Sequence, residues 1–152
     1  MAITPKDIVA QARSWIGTSF HHQGRLKAKG TDKGGCDCIG LVVGVLKELG
    51  ISLADNDQTD YSMLPDGRRL KAMLDKHLRA IALNKIRPGD ILLFTFENNP
   101  QHVGIASNYT GGGLGIIHCY AGSKMVVEHH LSDNWLRRTV AAYRFKQKDL
   151  SV

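Results

Sequence analysis

Cysteine is scarce: the 152 residues hold three. That is too few, and the wrong parity, for a disulfide framework, so the fold must rest on its own core. Aromatic residues make up 7% of the chain, and no basic stretch carries the interleaved rings that stack single-stranded nucleic acid. No Pro- or Ser-rich linker divides the sequence. No apolar run approaches the roughly 18 residues of a membrane span. The opening Met-Ala-Ile-Thr-Pro-Lys-Asp lacks the apolar core of a secretory signal. These absences predict one domain over 1–152, with no membrane span, made without a signal peptide in the reducing cytoplasm. Charge is also undersupplied in blocks. Lys and Arg number 20 against 14 Asp and Glu, a formal charge of +6, but no run of five like charges occurs. The dispersal argues against a nucleic-acid partner and fits a modest attraction to an anionic polymer.

What is present is ordinary for a globular protein: 43% hydrophobic and 22% charged residues. A chain of this length buries roughly 70% of its unfolded surface, enough for a core. Thr4, Pro5 and Asp7 open a helix whose apolar positions are Ile8, Ala12, Trp15 and Ile16, with Gly17 ending it. A polar, Gly- and Lys-rich loop runs from about Thr18 to Gly35. A second helix begins near Asp37 and Cys38, buries Ile39, Val42, Val43, Leu46 and Leu49, and stops at Gly50. A third amphipathic segment carries Leu70, Met73, Leu74, His77 and Leu78. Strand patterns then follow at Ile91 to Phe96, His102 to Ser107, Ile116 to Tyr120, Met125 to Leu131 and Thr139 to Phe145. Helices first and strands second predict an α+β fold, with N-terminal helices packed on a central antiparallel sheet of about five strands.

The sharpest local feature is Gly34-Gly35-Cys36-Asp37-Cys38-Ile39-Gly40-Leu41. A cysteine at a helix start lies in the positive end of the helix dipole, which favours the nucleophilic thiolate. Gly35 and Gly40 allow other backbone to approach. A nucleophilic cysteine needs a base, and seven histidines are available. His102 opens a strand, and His118 interrupts the apolar run Ile116-Ile117-His118-Cys119, where a polar side chain needs a partner. If the loop between their strands has an odd number of residues, as with Tyr109 to Gly113, the two histidines share a face. His129 and His130 are adjacent in a strand and point apart, so at most one of them joins a site. Glu128 is a candidate secondary partner or a surface residue. Cys36 and Cys119 read as bystanders. Metal ligation has no support in spacing: there is no C-x-x-C pair and no H-E-x-x-H, so neither metal nor cofactor is expected.

Four segments together resemble the NlpC family of cell-wall cysteine peptidases, a papain-like group. They are Trp15-Ile16-Gly17-Thr18-Ser19-Phe20, Gly35 to Leu41, Arg87-Pro88-Gly89-Asp90-Ile91-Leu92-Leu93-Phe94, and Gln101-His102-Val103-Gly104-Ile105 with Ile117-His118. The resemblance spans about Ile8 to Leu131 and implies a papain-like fold. It also implies a catalytic triad, with Cys38 as nucleophile, His102 as base and His118 orienting the His102 ring. The Cys38 backbone N–H would serve the oxyanion, and Asp37, Phe20 and His22 would lie on the substrate side. The implied partner is the peptidoglycan stem peptide, cut between D-glutamate and the diamino acid.

Two positions depart from the family pattern. Phe20 stands where a tyrosine is usual and has no hydroxyl, leaving His21 or His22 as substitutes. Ile39 stands where a serine usually follows the nucleophile. With the tyrosine and serine gone, a free stem N-terminus is not expected to be required. Phe20 to Gly24 and Val126 to His130 are most similar to phage- and prophage-encoded members. That likeness implies phage tail proteins as partners and a tail or secretion device carrying the enzyme to the wall. Alternatives are a non-catalytic tail-tip component, or an amidase or acyltransferase on the same scaffold, such as a secreted antibacterial effector.

Overall fold

The structure, a computed structural model, describes residues 2–57, 59, 67–96 and 99–152. Helix α1 spans Pro5–Arg13. Thr4 caps it in a reciprocal box: Asp7 N–H donates to Thr4 Oγ1 at 3.2 Å, and Thr4 N–H donates to Asp7 Oδ2 at 2.8 Å. The helix stops at Arg13, and the chain turns through Gly17 at φ +94. Ile16 therefore lies exposed, contrary to its place in the helical pattern, and Val9 joins Ile8, Ala12 and Trp15 in the core. The loop that follows contains a two-stranded antiparallel ribbon, β1 (Arg25–Leu26) and β2 (Gly35–Cys36).

Helix α2 spans Cys38–Glu48 and buries Leu41, Val43, Val45 and Leu46. The Trp15 ring lies over Gly44, where any Cβ would collide with it, and its indole N–H donates to Glu48. Helix α3 (Gly67–His77) adds Leu70 and Leu74 to the core, with Leu78 just beyond it.

The sheet has six strands: β3 (Arg79–Ile81), β4 (Ile91–Phe96), β5 (Asn99–Asn108), β6 (Leu114–His118), β7 (Val127–His130) and β8 (Thr139–Arg144). Their order is β3-β8-β4-β5-β6-β7, every pair antiparallel. The added strand is β3, three residues whose Arg-Ala-Ile pattern is too short to read in sequence. Strand β6 begins and ends two residues earlier than its pattern, and β7 is shorter than its own. A six-residue helix, α4 (Asp133–Arg138), precedes β8 and has no sequence signal of comparable strength.

Alternation along the strands divides the sheet into two faces. Helices α1, α2 and α3 cover one face, carrying Ile91, Leu93, Val103, Ile105, Ile117 and Tyr143. The other carries Leu92, Phe94, Ala106, Ile116 and Ala142, covered by Leu131 and Trp135 of the α4 region. Strand β4 is buried on both sides from Ile91 to Phe94, which explains its unbroken apolar run. The turn before it is fixed by Asp90, which accepts from Arg87 N–H at 2.7 Å and takes a two-pronged ion pair from Arg144 at 2.8 and 2.9 Å. Among the described residues, no helix is long and apolar enough to cross a membrane.

Candidate active site

Cys38 is the first residue of α2, and Asp37 is the N-cap. Asp37 Oδ1 accepts from Gly40 N–H at 2.8 Å and from Arg25 Nη1 at 3.1 Å, while Oδ2 accepts from Gln23 N–H at 2.9 Å. Arg25 turns Nε and Nη2 to Asp57 at 2.9 and 3.1 Å. This network ties the segment 23–25 to the helix start. Gln23 adopts a left-handed backbone at φ +61, uncommon outside glycine. A Cβ at Gly40 would collide with the Gly24 carbonyl oxygen, so the close approach requires glycine there.

The β5–β6 register runs through Ile105 opposite Ile117 and would place Val103 opposite Cys119, but β6 stops at His118. The Val103 N–H is thereby released, and it points at the Cys38 sulfur. The nucleophile candidate thus arrives from the helical face through the gap where two strands part. Burial pushes the Cys38 thiol up to about 12, and the adjacent Asp37 carboxylate adds to the rise. The N–H groups of Val103 and Ile39 pull the other way without overcoming them.

His102 lies opposite Phe94 of β4. The β5–β6 loop, 109–113, has five residues between Asn108 and Leu114. That odd number puts His118 on the same face, beside Gly104, where an added Cβ would sit 3.0 Å from His118 Cβ. His102 Nε2 and His118 Nδ1 are 2.8 Å apart. Aromatic rings enclose the pair. Trp135 meets His118 edge-on at 4.7 Å between centroids, and Tyr120 lies 5.1 Å from His118 and 5.6 Å from His102. Phe94 and Phe96 each lie 5.6 Å from His102. Arg138 caps this box, 5.5 Å above the Phe96 ring and 5.8 Å above Trp135.

Burial in this enclosure pulls His102 down to about 3. It pulls His118 down to about 2, with His102 and His129 adding to the shift. Burial thus opposes the thiolate that the helix start favours at Cys38, and opposes the imidazolium at His102.

Residues 17–144 match the NlpC/P60 family. The chain belongs to the NlpC/P60 family. None of the curated proteins matches the sequence. Solved structures share the fold. The NlpC/P60 domain of the peptidoglycan hydrolase SagA superposes with a TM-score of 0.63 at 22% identity, covering 94% of this chain and 100% of that one. The peptidoglycan hydrolase RipB of Mycobacterium tuberculosis gives 0.60 at 17%, covering 93% and 65%. An N-acetylmuramoyl-L-alanine amidase of Bacteroides uniformis gives 0.55 at 14%, covering 93% and 98%. An NlpC/P60 family protein of Bacillus cereus gives 0.62 at 19%, covering 95% of this chain and 41% of its own.

The other NlpC/P60 positions singled out in the sequence fall as follows. Phe20 is half-buried against the core, its N–H donating to the Lys124 carbonyl at 2.8 Å. His22 is half-buried on the same segment, and His21 is exposed, its Nδ1 2.9 Å from the His22 carbonyl. The segment lies beside the nucleophile loop, since His21 N–H donates to the Cys36 carbonyl at 3.0 Å. Asp37 is buried, and its carboxylate meets the helix start, Arg25 and Gln23. Cys36 and Cys119 are buried, with the Cys119 thiol 3.3 Å from the Cys36 carbonyl. The neighbouring Cys36 side chain and burial raise the Cys119 pKa.

Glu128 pairs with Arg13 at 2.9 Å and accepts from Ser107 at 2.7 Å, on the helical face and away from the histidines. The sequence pattern does not announce the box of Trp135, Tyr120, Phe94 and Phe96. Its members come from three separate segments, and only the sheet brings them together.

Proposed function

We propose that this chain is a peptidoglycan hydrolase that cuts stem peptides by cysteine chemistry, with Cys38, His102 and His118 as its triad. The observation that carries the reading is the bonded His102–His118 pair, with His102 on the strand whose Val103 N–H meets the Cys38 sulfur. Nδ1 of His102 has no hydrogen-bond partner among the described residues and is the nitrogen left for the thiol. Cys38 Sγ attacks the peptide carbonyl while its proton passes to His102 Nδ1. The neutral resting pair makes attack and proton transfer concerted. His118 holds the ring and shares the charge that His102 acquires. The Cys38 N–H, at the first position of α2, faces the developing oxyanion with the helix dipole behind it. His102 then protonates the leaving amine, and water, activated by the same ring, releases the acyl group.

The bond cut is proposed to be that between D-glutamate and the diamino acid. Phe20 and Ile39 cannot supply the hydroxyls usual at those positions, so the substrate side, including Asp37 and His22, accepts stems still joined to the glycan. Delivery by a phage tail or secretion device is proposed from the Phe20 to Gly24 and Val126 to His130 segments. A second reading, an amidase that removes the whole stem, is favoured by the shared fold with the Bacteroides uniformis amidase.

Digestion of Gram-negative sacculi followed by mass spectrometry of the products separates these readings. Truncated stems ending at D-glutamate support the endopeptidase, and glycans stripped of whole stems support the amidase. Unchanged sacculi, with cleavage confined to muropeptides bearing a free L-alanine, would overturn the proposed tolerance of intact wall.

A further inference from the structure

The histidine chain does not end at His118. Ile116 pairs with His129 across β6 and β7, so His129 shares the face of His118, while Glu128 and His130 point to the other. His118 Nε2 and His129 Nε2 are 2.8 Å apart. His129 Nδ1 lies 2.9 Å from the His130 carbonyl oxygen. We propose that His129 is a positioning residue that fixes the proton order of the whole chain and so leaves His102 Nδ1 as the bare, basic nitrogen. The inference rests on the triad proposed above.

A carbonyl oxygen can only accept, so the His129 proton sits on Nδ1. In a neutral His129, Nε2 then carries a lone pair and accepts from His118 Nε2–H. Neutral His118 is left with a lone pair at Nδ1, which accepts from His102 Nε2–H. Neutral His102 has no proton left for Nδ1. A single backbone carbonyl at the sheet edge thus sets the tautomer of a base three rings away. Burial keeps His102 and His118 neutral at pH 7, as the relay requires. Trp135 packs against all three rings, with centroids 6.0, 4.7 and 5.7 Å away, and holds them in line. Without His129, His118 loses its acceptor and can turn its proton to Nδ1. It then donates to His102 Nε2 and forces the His102 proton onto Nδ1, the nitrogen meant to receive the thiol proton.

The test uses the full chain as wild type, His129→Leu and His129→Gln. Imidazole nitrogen shifts of His102 are read by NMR, and kcat and KM are read on a soluble muropeptide. Wild type is expected to hold the His102 proton on Nε2. His129→Leu is expected to show a mixed tautomer and a kcat lower by about tenfold, the worth of one buried hydrogen bond, at unchanged KM. His129→Gln, whose amide oxygen can accept, is expected to restore both. A His129→Leu protein with wild-type kcat overturns the proposal. So does one that loses kcat while the His102 proton stays on Nε2, which would make His129 merely structural. Cys38→Ala serves as the control on the triad: activity surviving in it contradicts the proposed hydrolase mechanism, whereas the tautomer result stands or falls without turnover.

Discussion

The two faces of the sheet are built from different chemistry. The helical face is thick and aliphatic, and its polar groups are tied in ion pairs: Arg13 to Glu128, and Arg25 to Asp37 and Asp57. The α4 face is thin and aromatic, and its polar groups are histidines joined in a line. The nucleophile candidate belongs to the first face and the candidate base to the second. Cys38 reaches β5 at the Val103 N–H, one residue from His102, where β6 ends at His118. The difference shows what opposes charge on either group. A thiolate would sit beside Asp37 in a desolvated gap, and an imidazolium would sit inside an aromatic box.

The largest loss after that of the nucleophile itself is expected on the aromatic face. His102→Ala should lower kcat/KM by about 10³-fold, the range of a lost general base. His118→Ala should cost less, about 10- to 100-fold, since it acts through His102. Muropeptide kinetics with folding checked by circular dichroism would separate the two, and equal losses would break the division of roles.

A second consequence concerns pH. His102 and His118 are held neutral in the fold, while the unfolded chain takes up protons near pH 6.5. The unfolded state thus binds more protons on acidification, and stability falls as pH drops from 6.5 toward 3. Each histidine contributes up to about 1.4 kcal/mol per pH unit in that window. Thermal unfolding at pH 7 and pH 4.5 should show the drop, and replacing both histidines with Gln should shrink it.

Steric effects come next. Gly104→Ala would bring a methyl 2.6 Å from Ile116 Cδ1 and 3.0 Å from His118 Cβ. A destabilisation of about 1–3 kcal/mol is expected, with a fall in kcat from the displaced His118 ring. Urea unfolding combined with kinetics would read both, and an unchanged kcat would show that the ring tolerates the shift. On the helical face, Arg13→Ala should cost at most about 1 kcal/mol and leave kcat untouched, because its ion pair is partly exposed and lies on the opposite face of the sheet from the three bonded histidines.

Much of this arrangement was legible in the sequence. The capping residues Thr4 and Asp37, the α2 start at Cys38 and the Pro-Gly-Asp turn all announce local structure through local residues. The sequence makes a shared face for His102 and His118 conditional on an odd hairpin loop, and the five-residue loop 109–113 meets that condition. The rest depends on where segments end. Ile16 fits the helical period, yet the helix stops three residues earlier. The thiol at a helix start suggests a thiolate, but its burial is a property of the assembled fold. Trp135 carries no periodic signal, since α4 is too short to show one, and its place over the histidines is set by the sheet.

The most direct test of the central claim, hydrolysis of peptidoglycan by Cys38, is dye release from labelled sacculi by wild type and Cys38→Ala side by side. Release by wild type and none above background by Cys38→Ala is expected. Equal release by both proteins would contradict the account.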